Sequence, residues 1–170
     1  AFVGCGVMGE SMLAGLVENG IVDAANVSAS HPREERRADL AAKYGIRAFE
    51  SNAEAARAVA GHDNSAVVLC VKPQRLKKVL SDLDGVIHVD QLVVSIIAGA
   101  TIGHLAEELG TAKVVRAMPN TPSQIGAGIT AWTCTEAVGE TERGHVREML
   151  AALGKEIFVE TENMIDMATS

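Results

Sequence analysis

The chain has 170 residues, 48% of them hydrophobic, and a formal net charge of -7. That length and apolar content suit a single domain with a substantial core. The negative balance argues against a general nucleic-acid or anionic-membrane surface, which needs clustered lysine and arginine, and points to small soluble ligands. No apolar run reaches the ~20 residues of a bilayer span, and the opening residues have no basic flank with a signal-type core, so a cytoplasmic protein is expected. Cys5, Cys70 and Cys134 lie far apart without metal-ligand spacing. They read as free thiols, with no metal site implied.

In chain order, Phe2-Val3 is a strand end running into Gly4-Cys5-Gly6-Val7-Met8-Gly9 and then into a helix through Asn19 with Met12, Leu13, Leu16 and Val17 at helical spacing. A strand, Gly-x-Gly-x-x-Gly and a helix form a dinucleotide fingerprint. Gly4 suits the tight turn, Gly6 a close approach of backbone to pyrophosphate, and Gly9 packing of helix on strand. Free N–H groups at the helix start favour the phosphates. Cys5, inside this turn, reads as a small packed residue.

Val27 to Ser30 is a second strand, and Arg33 to Tyr44 an amphipathic helix ended by Gly45. Ile46 to Phe49 is a third strand; Ser51 caps a helix to about Ala60, with Glu54 as capping-box partner. Ser65 to Val71 is a buried central strand, Pro73 opens a helix through Leu83, and Gln91 to Ile97 is a fifth strand before Ala98-Gly99. Thr101 caps the next helix and Lys113 to Met118 is a sixth strand. Pro119-Asn120-Thr121-Pro122 reads as a rigid loop that cannot continue the sheet. Gly128 to Cys134, a helix from Glu140 to Leu153, and a strand from Lys155 to Glu160 complete the pattern, with Asn163 to Ser170 beginning a further element. The alternation predicts an α/β domain: a Rossmann-like open, mostly parallel twisted sheet of about eight strands flanked by helices.

A fingerprint for NAD places an acid at the end of the second strand, to bind the ribose hydroxyls. Here Ser30-His31-Pro32-Arg33 stands there, with Arg36 a turn further on. A carboxylate about 5 Å from a 2′-phosphate would cost roughly 3 kcal/mol per phosphate charge at an effective dielectric near 20. Its absence, with a guanidinium and a hydroxyl at hand, favours NADP. In open α/β sheets the ligand lies beyond the carboxyl ends of the strands. Val71-Lys72-Pro73-Gln74, Ile97-Ala98-Gly99 and Met118-Pro119-Asn120-Thr121-Pro122 therefore read as the remaining walls, with Asn120 and Thr121 as neutral hydrogen-bonding groups. No nucleophile–base arrangement or carboxylate pair appears among them, and hydride transfer needs neither.

These motifs, with Ser95-Ile96-Ile97-Ala98-Gly99 and Val115-Arg116-Ala117-Met118-Pro119-Asn120-Thr121-Pro122, resemble pyrroline-5-carboxylate reductase along the whole chain. The resemblance implies NADPH-dependent reduction of 1-pyrroline-5-carboxylate to proline. Residues 1–161 would form the dinucleotide-binding domain, and 162–170 would begin the connection to a helical C-terminal domain that makes the homo-oligomer and much of the substrate pocket. It implies cofactor contacts at Gly4, Cys5, Gly6, Val7, Met8 and Gly9, and at Ser30, His31 and Arg33 for the adenosine phosphate end. Asn52, Val71, Lys72 and Pro73 follow, with Ala98, Gly99, Met118, Pro119 and Asn120 around the nicotinamide. No catalytic group is assigned; Lys72 and Asn120 are candidates for positioning. Val7 replaces an asparagine frequent in the family, which removes one polar contact. The alternatives are an NADP-dependent reductase of the β-hydroxyacid dehydrogenase type and a non-catalytic NADP-binding module.

Overall fold

The computed structural model describes residues 1–120, 122 and 127–168. Among them, one sheet of eight strands holds β1 (Phe2–Val3), β2 (Ser28–Ser30), β3 (Arg47–Phe49), β4 (Ala66–Leu69), β5 (Leu92–Ser95), β6 (Val114–Pro119), β7 (Gly128–Cys134) and β8 (Gly154–Phe158). Their order is β3-β2-β1-β4-β5-β6-β7-β8. Every neighbouring pair is parallel except β6 and β7. Helices α1 (Val7–Glu18), α2 (Glu34–Tyr44), α3 (Asn52–Arg57), α4 (Leu76–Leu83), α5 (Ile102–Leu109), α6 (Glu140–Ala151) and α7 (Glu162–Ala168) connect and flank the strands. The Rossmann-like expectation is met.

Two apolar clusters occupy the two faces of the sheet. Met12, Leu13, Leu40, Tyr44, Val146 and Leu150 bring α1, α2 and α6 onto one face, with the fully buried Trp132 beneath them. Val79, Leu83, Leu105 and Leu109 bring α4 and α5 onto the other. Successive residues of β6 divide accordingly: Val115 and Ala117 belong to the first cluster and Val114 to the second. That is the period-two alternation of a strand covered on both sides.

Local chemistry sets the helix ends. Gly45 closes α2 at φ 71°, and the Ser51 and Thr101 hydroxyls accept the N–H groups of Glu54 and His104 at the starts of α3 and α5. Several elements are shorter than expected. The fourth strand stops at Leu69, α3 stops at Arg57, and Pro73–Arg75 forms a 3-10 turn ahead of α4.

One expectation is overturned. Pro119 does continue the sheet, as the last residue of β6 opposite Thr130. The Asn120 N–H donates to the Ile129 carbonyl at 3.3 Å, which makes 120 and 129 the hydrogen-bonded pair. Pro119 thus sits in the adjoining non-hydrogen-bonded pair, where its missing N–H takes nothing from the ladder. On its other side, β5 pairs no further than Ser95 with Arg116.

Candidate dinucleotide site

The strand order reverses between β1 and β4, and a crevice opens at their carboxyl ends. The glycine turn stands at that point. Gly4 has φ +76°, and a Cβ there would lie 2.0 Å from Cγ1 of Val71 at the end of β4. Gly9 is equally constrained, since its Cβ would lie 2.6 Å from the Cys70 sulfur. These two glycines let α1 and β4 close on β1. Gly6 differs: the nearest atom its Cβ would meet is the Gly4 carbonyl oxygen, at 3.8 Å. It is the N-cap of α1 and supplies no side chain to cover the first-turn N–H groups of Val7, Met8 and Gly9. Uncapped N–H groups at the start of a helix suit a pyrophosphate. Cys5 is fully buried, and burial pushes its thiol up to about 12, so it is an inert packing residue.

The end of β2 builds the turn from behind. The Gly4 N–H donates to the Ser30 hydroxyl at 3.0 Å, and that hydroxyl donates to Asn52 Oδ1 at 2.6 Å. Asn52 Nδ2 in turn donates to Asp82 on α4 at 2.9 Å, and Asp82 pairs with Lys78. Ser30 is fully buried, so its hydroxyl holds the glycine turn rather than standing free in the crevice.

His31 follows with Nδ1 accepting the Arg33 N–H at 3.2 Å, which leaves its ring proton on Nε2. Burial, with the charges of Arg33, Arg36 and Arg37, holds this imidazole below its ordinary value. The three arginines have separate fates. Arg36 is taken by Glu10 of α1, which also binds Lys43 and Tyr44. Arg37 donates to the carbonyls of His31 and Pro32 at 2.9 Å. Arg33 stands exposed at the N-cap of α2.

A cleft of about 720 Å³ joins Gly4, Asn52 and Val71 to Arg75, Lys78 and Asp82. The last three were not singled out from the sequence, although Arg75 directly follows the Lys72-Pro73-Gln74 run. Lys72 itself is exposed beyond β4, where water solvates its ammonium, and Pro73 starts the 3-10 turn.

Further along the same carboxyl edge of the sheet stand exposed Ala98 and Gly99 after β5 and half-buried Met118 and Pro119 at the end of β6. Gly99 has φ +76°, and the space its Cβ would enter is empty. Asn120 Oδ1 accepts the Ile129 N–H at 2.9 Å, so this carbonyl pins the strand end to β7. Thr121 lies outside the described residues. No cluster of His, Cys, Asp or Glu suited to a metal occurs among the described residues, and no helix there is long and apolar enough to cross a membrane.

The comparisons agree with this fold. The chain is 38% identical over 167 residues to the pyrroline-5-carboxylate reductase of Vibrio alginolyticus, covering 98% of this chain and 59% of that protein. Its fold matches the pyrroline-5-carboxylate reductase of Coxiella burnetii with TM-score 0.90 and 30% identity, over 98% of this chain and 60% of the other. The Plasmodium falciparum pyrroline carboxylate reductase, solved with NADP bound, matches with TM-score 0.79 and 26% identity over 96% and 58%. The chain thus spans about three fifths of the length of these relatives. Residues 1–99, from β1 to the Gly99 turn, match the family described as NADP oxidoreductase coenzyme F420-dependent, and the chain belongs to that family.

Proposed function

We propose that the full-length protein reduces 1-pyrroline-5-carboxylate to proline with NADPH in the cytoplasm, this chain forming the dinucleotide half of its site. The observation that carries the reading is the glycine turn at the strand-order reversal, with no side-chain cap on the first turn of α1 and no carboxylate at the end of β2. Similarity to pyrroline-5-carboxylate reductases supports the choice of substrate.

When bound, NADPH supplies the hydride for the C=N carbon. The N–H groups of Val7, Met8 and Gly9 would hold the pyrophosphate, while Ser30 and Asn52 fix the turn that presents them. Arg33 and His31 would face the adenosine phosphate; Cys5, Val71, Lys72 and Pro73 would back the middle of the cofactor. Ala98, Gly99, Met118, Pro119 and Asn120 would border the nicotinamide. A protonated cyclic imine is already electrophilic, so the protein's task is to align two carbons at about 3–3.5 Å and exclude water. We assign the second wall of the site and the oligomer contact to a further domain.

Following NADPH absorbance and proline release with the full-length protein tests the reading. Proline formation is expected with NADPH, and residues 1–170 alone are expected to bind NADPH with little turnover. Reduction of a 3-oxoacid without proline formation would transfer the assignment to the β-hydroxyacid dehydrogenase type.

A further inference from the structure

Glu162, the first residue of α7, joins two segments that follow and form neighbouring strands, the start of α5 after β5 and the body of β6. Its Oε1 accepts the Ile102 N–H at 2.9 Å and the Arg116 Nη1 at 3.1 Å. Ile102 is the first residue of α5, three positions after Gly99. Arg116 lies two positions before Met118 on β6, and its side chain is only 3% exposed. A guanidinium so far from water requires a carboxylate, and a carboxylate at the start of α5 also meets the helix dipole favourably. Ile165, one turn further along α7, is fully buried, and α7 packs on β6 and β7. Glu162 is therefore held on a docked helix.

We propose that Glu162 is a positioning residue for the nicotinamide side of the crevice. Through the Ile102 N–H it sets the Ala98–Gly99 turn, and through Arg116 it sets the Met118–Asn120 strand end. This inference rests on the proposed reduction for its kinetic consequence, while the geometry it claims is independent of the substrate. The glycine turn, between β1 and α1, and Asn52, on α3, lie outside this junction, so Glu162 should act on turnover and leave cofactor affinity alone.

The test is Glu162→Gln in the full-length protein. Glutamine keeps an acceptor for the Ile102 N–H and loses the negative charge that Glu162 sets against Arg116. Turnover is expected to fall about tenfold to hundredfold, the scale on which a misplacement of about 1 Å acts. The NADPH Kd should change less than about twofold, well under the ~1.4 kcal/mol of a tenfold change. Amide exchange should quicken at 98–102 and 116–120 and stay unchanged at 4–10. If the parent makes no proline, the proposed function fails, and the exchange pattern alone then decides on Glu162. Unchanged exchange at 98–102 and 116–120, or equal acceleration throughout the chain, overturns the inference. Should Glu162→Gln not fold, Glu162→Asp, with its carboxylate one methylene short, must show the same regional pattern in weaker form.

Discussion

The Ser30 hydroxyl donates to Asn52 Oδ1 at 2.6 Å, so its remaining lone pairs are free to accept the Gly4 N–H. This orientation ties the glycine turn to β2 and α3 by a route no local motif contains. Ser30→Ala would leave the Gly4 N–H and the Asn52 carbonyl without this partner in a part-buried setting, a loss of roughly 1–3 kcal/mol. NADPH affinity should fall severalfold along with the denaturation midpoint, both followed in the same protein. A variant with lowered midpoint but parental affinity would show that the turn keeps its shape without Ser30.

Arg33 and Arg36 make opposite predictions although they lie in one helical turn. Arg36 is bound to Glu10, whereas Arg33 is exposed at the start of α2. Arg33→Ala should weaken NADPH binding and leave NADH nearly unchanged, removing most of the preference between them. Loss of one charge-assisted contact to phosphate corresponds to roughly 1.5–3 kcal/mol. Arg36→Ala should lower stability without altering the ratio of the two affinities. Titrations of both variants with both cofactors separate these roles, and an unchanged ratio in Arg33→Ala would remove Arg33 from the phosphate site.

Gly99 combines a positive φ of +76° with empty space at its Cβ position. On the proposed function this space takes the nicotinamide or the substrate, so any side chain should obstruct them. Valine is the wrong probe, because a β-branched residue is strained in this backbone region and would disturb the turn itself. Asparagine tolerates the left-handed region and keeps the two effects apart. Gly99→Asn should retain the parental thermal midpoint within a few degrees and lose most of its turnover. Full activity in that variant would mean that the reacting rings lie elsewhere.

Much of this architecture is legible in the sequence because its signals are short-range. The glycine spacing, Gly45 as a helix stop, Ser51 and Thr101 as caps, and the apolar runs of β4 and β5 each act within a few residues. What was hidden depends on pairing across the sheet. Proline chemistry alone predicts a break at Pro119, yet its partner on β7 places it where no N–H is needed. Nothing near Arg36 in sequence announces that Glu10, 26 residues earlier, captures it. The Glu162 carboxylate reaches Ile102 and Arg116 across 60 and 46 residues, beyond any local pattern.

The Glu10 cluster has its own pH dependence. Burial alone would raise this carboxyl, but hydrogen bonds from Arg36, Tyr44 and Lys43 outweigh it and hold the group below its ordinary value. A carboxyl depressed in the folded state stabilises the fold fully above its unfolded value, near pH 4.5, and loses that contribution as pH falls through the lower folded value. Glu10→Gln keeps the shape and removes the charge. Parent and variant should therefore differ most in urea midpoint near neutral pH, with the gap narrowing below about pH 4.5 as the parent's carboxyl is protonated. The side chain of Glu10 is 19% exposed and that of Lys43 62%, so water and salt screen part of the attraction. Arg36 is the dominant partner, and Arg36→Ala should flatten the same pH window more than Lys43→Ala. A gap between parent and Glu10→Gln that stays constant from pH 7 to pH 3 would show that Glu10 acts by packing rather than by charge.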